Sequence, residues 1–404
     1  AYWTLTSSCT PKKGDVQMTV ATDTAPVTRL LVLGNGFDLA SQLDSRFSQF
    51  IDADENHGKL EKYLTAIFEF VSDDVMWNHC LSEVFYRDDP QLQYFEPMGN
   101  LKKLLPDNIW QCITLYKRTL IDYNNDLHNW SDVEETIRDV VTSEAVKDIG
   151  TIQATNPLEI YSHEERFYFS LAYLLFEFKP RSDNMYSFLM RQLNKFEHNF
   201  GIYLQTNLKS KVNYDILSNT LLLNLAHREK ISVLNFNYTP LLSAYGNTSN
   251  VQKEYTTNIH GTWDSPIMGI DHHGLKPDDP AFMFTKTYRI MSNADGSQTV
   301  KTLPNTVTSI VFFGLSLSDA DYSYFQSIFD YYSIYDRPIK LIFGYSEHGD
   351  EPVSKTRTDL TNNLMHLFDR YKPSKQIQVS GEDLLHKLLL ENRLIIREYS
   401  MRDN

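Results

Sequence analysis

A glycine turn, Gly34-Asn35-Gly36, follows the apolar run Arg29 to Leu33 and precedes a helix-like pattern from Phe37. Backbone N–H groups at such a turn, with the positive end of the following helix, attract phosphate. The dinucleotide fingerprint G-x-G-x-x-G is met only at its first two glycines, since Leu39 holds the third position and Ala40 comes one later. A tight structural turn therefore stands as the alternative; in the phosphate reading, a side chain at Gly36 would block close approach of a ligand to the backbone. Asn237 ends another apolar run and offers donor and acceptor at once, or it caps a helix beginning near Pro240. His260, with an ordinary pKa near 6.5, can take a proton near neutral pH, or it only bonds backbone in a buried turn. Gly314 permits close approach beside Ser316, whose hydroxyl suits a phosphate or sugar hydroxyl, or caps a helix starting near Asp319.

Other candidates read as structural. Ser131-x-x-Glu134 is a capping box, which accounts for Glu134 and its neighbour Trp130. His272-His273 sits in a loop with no nearby cysteine and reads as a solvated pair rather than a metal site. Lys286 is within reach of a pyrophosphate in principle, but reads as a surface lysine.

The elements that must position these residues fall into two kinds. From about His57 to Lys230 the spacing is helical, over Leu60–Val71, Asn108–Tyr123, Ser131–Val146, Glu164–Lys179, Met185–Thr206 and Tyr214–His227. Short strands are expected at Arg29–Leu33, Ile231–Asn235, Glu254–Ile259, Ser309–Phe313, Ile339–Phe343, Ile377–Ser380 and Leu394–Tyr399. This alternation implies an α/β fold around a mostly parallel sheet, with the strand at 29–33 in the same sheet as those near 231, 309 and 339. The helical stretch becomes an insertion after the first strand and helix. Gly261 to Asn305, rich in Gly, Asp, Pro and Asn, reads as a long irregular connection of the kind that often carries function.

The 404 residues correspond to roughly two to three domains. A net charge of −14 argues against stable nucleic-acid binding, and any anionic ligand needs a local pocket. Composition is globular, with 42% hydrophobic and 13% aromatic residues. Cys9, Cys80 and Cys112 form no CxxC pair, which suggests a reducing, cytoplasmic setting without structural metal. No apolar run approaches a membrane span. Residues 1–25 read as a flexible leader.

Beyond single residues, five ordered segments resemble the bacteriophage abortive infection AbiH family. They are Leu33-Gly34-Asn35-Gly36-Phe37-Asp38-Leu39 with Phe47 and Phe50; Trp130-Ser131-Asp132-Val133-Glu134; Leu234-Asn235-Phe236-Asn237-Tyr238-Thr239; Asn258-Ile259-His260-Gly261 with Gly269; and Phe313-Gly314-Leu315-Ser316-Leu317-Ser318-Asp319-Ala320-Asp321. The resemblance covers about residues 29–345. Gln42-Leu43-Asp44-Ser45 departs from the family's Gly-Leu-Pro-Thr, and Leu315 stands where a histidine is common.

The same set is similar to a remote sirtuin pattern. Gly34 and Gly36 fall on its first block, Asn237 on its Asn, His260 on its His, and Gly314 and Ser316 on its last block. Thr239 replaces an Asp, Asp38 replaces a Ser, and the four-cysteine zinc module is missing. The resemblance implies a Rossmann-like, sirtuin-like domain made of 26–56 and 229–404, interrupted by a helical insertion domain at 57–228. It further implies an anti-phage effector that hydrolyses NAD to nicotinamide and ADP-ribose when activated, or a non-catalytic NAD or nucleotide-derivative sensor acting on a protein partner. Asn237 and His260 would be catalytic; Gly34, Asn35, Gly36, Phe37, Asp38, Thr239, Gly314, Ser316 and Asp321 would bind NAD. A phage-derived or protein activator and homo-oligomerisation are expected as well.

Overall fold

The computed structural model describes residues 26–53, 57–75, 77, 108–121, 130–148, 162–172, 176, 184–241, 251–272, 274–293, 303–317, 321–346, 353–371 and 381–399. The expected leader at 1–25, the expected strand at 377–380, His273, and the side chains of Trp130 and Ser131 lie outside the described residues.

Strand β1 (Arg29–Leu33) is buried along its whole length. After it come α1 (Gly36–Ala40), α2 (Phe47–Asp52), α3 (His57–Ser72), α4 (Ile109–Ile121), α5 (Trp130–Thr142), α6 (Glu144–Asp148), α7 (His163–Ser170), α8 (Met185–Ser210) and α9 (Tyr214–Ala226). The chain then returns as β2 (Ile231–Asn235) and β3 (Val251–Asn258), followed by a two-stranded hairpin of β4 (Gly261–Thr262) and β5 (Ser265–Pro266). A 3₁₀ turn (Pro280–Phe284) and α10 (Lys286–Asn293) lead into β6 (Ser309–Phe313), α11 (Tyr322–Tyr331), β7 (Lys340–Tyr345), α12 (Val353–Arg370), α13 (Gly381–Leu390) and β8 (Leu394–Glu398).

Six strands form one sheet in the order β3-β2-β1-β6-β7-β8, and every neighbouring pair is parallel. The apolar runs explain this: β1, β2 and β6 are buried on both faces, as strands of a parallel sheet covered by helices must be. The order reverses at β1, which lies between β2 and β6. Such a reversal opens a crevice outside the carboxyl ends of the strands.

Register puts those ends level. Leu33 pairs with both Asn235 and Phe313, and Asn235 pairs with Asn258. The ladder runs one residue further, with Gly34 N donating to Phe313 O at 2.9 Å, Phe236 N to Leu33 O at 2.8 Å and Ile259 N to Asn235 O at 2.8 Å. Gly34, Asn237, His260 and Gly314 therefore all emerge just past one edge of the sheet.

Alternation along the strands divides the core. Leu30 and Val32 join Phe312, Phe325, Phe329 and Phe368 on the face covered by α11 and α12. Leu31 and Leu33 pack on the opposite face with Phe37, Leu221, Leu222 and Leu225. Helix α9, expected within the helical insertion, thus covers the sheet, where its buried leucines Leu221, Leu222 and Leu225 pack. A third core joins α2 to α5 with α7 and α8, around Trp110, Tyr116, Phe167, Phe196 and Phe200.

The segment after His260 is more ordered than its composition implies. Besides the hairpin and α10, its Met268, Ile270, Ala281 and Phe284 are buried in the helical core. A few apolar side chains, spaced among Gly, Asp and Pro, suffice to fasten it there.

Candidate functional site

At the reversal point the glycine turn packs on the turn after β6. Gly36 N donates to Gly314 O at 2.8 Å and Phe37 N to Gly34 O at 2.9 Å. A Cβ on Gly36 would lie 2.5 Å from the Gly314 Cα, and Gly314 has φ +69°. Backbone meeting backbone thus by itself requires a glycine at 36, apart from the close approach of a ligand expected there. Asn237 reaches the same turn, its Nδ2 donating to Gly34 O at 3.0 Å. Its side chain bridges two strand ends; the helix expected from near Pro240 falls on residues outside those described. Asn258 Nδ2 in turn donates to Asn237 O at 2.9 Å, joining the ends of β1, β2 and β3.

The other residues of the first block are engaged internally. Asn35 Oδ1 accepts from Ser45 Oγ at 2.6 Å. Phe37 is fully buried in the core, so only its backbone faces the turn. The Asp38 carboxylate is buried and accepts from Tyr214 Oη and Thr239 Oγ1, each at 2.6 Å. Burial drives its pKa up to about 6, against the two hydrogen bonds, which favour the charged form. Ser316 is exposed, and its carbonyl accepts from Asn363 Nδ2 at 3.0 Å. The helix following it starts at Tyr322, later than the start expected near Asp319.

His260 belongs to a buried charged cluster. Its ring lies against Phe236 and Tyr238, the two neighbours of Asn237, and against Tyr324. His260 Nε2 is 3.4 Å from Asp321 Oδ1 and has no hydrogen-bond partner. Asp321 Oδ1 accepts from Lys286 Nζ at 2.7 Å, and Lys286 Nζ also contacts Glu134 Oε1 at 2.6 Å. Lys286 is 2% exposed, which corrects the surface reading; α10 turns Lys286 and Arg289 inward together, one turn apart. Arg289 is spent on Glu197 and the Met268 carbonyl.

Electrostatics follow from that packing. Burial, then the Lys286 charge, brings the His260 pKa down to about 3, against the pull of Asp321. Its ring is thereby held neutral, a weaker proton acceptor than an ordinary imidazole titrating near 6.5. Burial raises Asp321, but the Lys286 charge and hydrogen bond hold it below its ordinary value, so it is ionised. Burial raises Glu134 above the ordinary glutamate value, with Lys286 opposing and Asp321 adding to the rise.

The structure thus brings together Gly34, Gly36, Gly314 and Asn237, pairs Asp38 with Thr239, and sets His260 on Asp321. Glu134 and Lys286, read from the sequence as a capping residue and a surface lysine, join that last pair. The capping-box spacing masked the first, and its one signal was the Trp-x-x-aliphatic-Glu segment itself. A polar cleft of about 400 Å³ lies elsewhere, between α8, β5 and α10, and contains none of these residues. Among the described residues no group of three or more His, Cys, Asp or Glu could hold a metal, and no helix is long and apolar enough to cross a membrane.

A doubly wound parallel sheet with polar residues gathered at the carboxyl ends of β1, β2, β3 and β6 defines the class: an α/β protein whose strand order reverses at β1. The chain belongs to the bacteriophage abortive infection AbiH family, whose model matches residues 30–343. Its role is accordingly in abortive infection against bacteriophage. No curated protein and no solved structure gives a significant match.

Proposed function

We propose that this AbiH protein cleaves the nicotinamide–ribose bond of NAD at the carboxyl edge of its sheet. The observation that supports the reading best is the convergence of Gly34, Asn237, His260, Gly314 and Asp321 from four strand ends onto one edge. Nicotinamide leaves neutral, so the bond needs little acid catalysis; the oxocarbenium left behind needs negative charge and an oriented attacking hydroxyl or water. Asp321, held ionised by Lys286, is the anion nearest His260. A neutral His260 would orient the attacking group as a hydrogen-bond acceptor, and the proton shed as the new C–O bond forms would pass to solvent. Asn237, as donor and acceptor, would hold a ribose hydroxyl, and the turns at Gly34–Asp38 with Thr239 and at Gly314–Ser316 would carry the pyrophosphate.

The low pKa of His260 and the use of the Gly36 N–H by Gly314 favour a second reading, a sensor that binds NAD or a derivative without turnover and acts on a protein partner. Incubation of the purified chain with NAD, with nicotinamide followed by chromatography, separates them. Turnover that falls roughly 10²-fold or more in Asn237→Ala and in His260→Ala, with the double variant scarcely worse, supports catalysis. Binding without nicotinamide release supports the sensor. A phage-derived activator and a homo-oligomeric form remain part of the proposal in either case.

A further inference from the structure

We propose that Glu134 and Lys286 are positioning residues of this site: Lys286, clamped between Glu134 of the helical region and Asp321, turns the Asp321 carboxylate so that His260 is fixed as the neutral Nε2–H tautomer. The contacts form one line: Glu134 Oε1 to Lys286 Nζ at 2.6 Å, Lys286 Nζ to Asp321 Oδ1 at 2.7 Å, and Asp321 Oδ1 to His260 Nε2 at 3.4 Å. An ionised carboxylate only accepts hydrogen bonds; at 3.4 Å, without a formed hydrogen bond, its charge still attracts a proton on Nε2 and repels a lone pair there. The free lone pair of the ring is then on Nδ1, the atom left to accept a bond from a ligand.

Burial makes the arrangement selective. Glu134 and Lys286 are 7% and 2% exposed, and His260 Nε2 is buried with no hydrogen-bond partner. A buried lysine beside a histidine opposes a second positive charge, whereas the carboxylate alone would invite one. Since Glu134 sits on α5, the helical region supplies part of the sheet-edge site, and the charge on His260 depends on where that helix stands. The catalytic consequence rests on the NAD-cleavage reading; the tautomer and charge of His260 do not.

The test is nitrogen-15 NMR of the histidine rings in the full chain, with His260→Asn assigning the signal. The groups around the ring that titrate or carry charge are Asp321, Lys286, Glu134, Asp271, Tyr238 and Tyr324. Wild type should show His260 neutral and Nε2-protonated from pH 5 to 8. In Glu134→Gln/Lys286→Met, which leaves the Asp321 carboxylate without its lysine, the His260 midpoint should rise by at least about one unit. If the wild-type chain releases nicotinamide, the same variant should lose about tenfold or more in kcat with little change in KM, as expected of lost orientation. An Nδ1-protonated ring in wild type, or an unmoved midpoint in the folded variant, overturns the proposal. Absence of nicotinamide release in wild type overturns the NAD reading alone.

Discussion

The backbones of Gly36 and Gly314 touch, with the Gly36 N–H donating to the Gly314 carbonyl at 2.8 Å across the boundary between β1 and β6. Each glycine is the other's steric condition. A Cβ on Gly314 would lie 2.6 Å from both the Gly36 Cα and the Phe37 N, and φ +69° already excludes most side chains.

Gly36→Ala should therefore destabilise the fold by roughly 1–3 kcal/mol, because backbone rather than a flexible side chain must give way. Gly314→Ala should cost more, the left-handed strain adding about 1 kcal/mol. Urea unfolding of both variants checks this. A Gly36→Ala midpoint indistinguishable from wild type would show that the turn yields cheaply and that its glycine answers to a ligand instead.

Asn237→Ala removes the tie from Nδ2 to Gly34 O and leaves that carbonyl with the Phe37 amide alone. The expected loss is about 1 kcal/mol. Loss of nicotinamide release well beyond what that loosening explains, in a variant whose melting temperature falls by only a few degrees, would separate a chemical part from a structural one.

Two buried groups give stability opposite pH slopes. Asp38 binds its proton more tightly folded, at about 6, than the ordinary 3.8, so its contribution is fully present below about pH 4 and is lost as pH rises through 6. His260 binds its proton less tightly folded, at about 3 against 6.5, so its contribution is present above pH 6.5 and is lost as pH falls toward 3. The two partly offset between pH 4 and 6. Asp38→Asn should abolish the first, making the variant's stability rise more steeply with pH than wild type over that interval. His260→Gln should do the reverse. Melting curves from pH 4.5 to 7.5 give the slopes, and parallel profiles for all three proteins would refute both assignments.

Arg289 and Glu197 form a buried pair that also holds the Met268 amide, with Met268 N donating to Glu197 Oε1 at 2.6 Å. Arg289→Met should cost about 3–5 kcal/mol, since it strands the Glu197 charge. Glu197→Leu/Arg289→Met should cost less than that single change, because no charge is left behind. A double variant less stable than Arg289→Met would mean that geometry at Met268, not charge, dominates.

The sequence by itself determined six strands of the sheet and the helical periodicities that fall on described residues. A run such as Leu30-Leu31-Val32-Leu33 must be buried on both faces wherever it goes, and a 3.6-residue apolar period needs no knowledge of its neighbour. That reasoning reached the parallel sheet, the insertion between β1 and β2, and the strand-end positions of Gly34, Asn237 and His260. Tertiary structure decided what those side chains meet. Asp38 and Thr239, 201 residues apart, are joined by one hydrogen bond, and Lys286 is buried because Glu134 and Asp321 come to it from either side. No local pattern distinguishes a lysine that will be desolvated between two carboxylates from one left in water. The cost of burying its charge is met only by partners that the fold supplies.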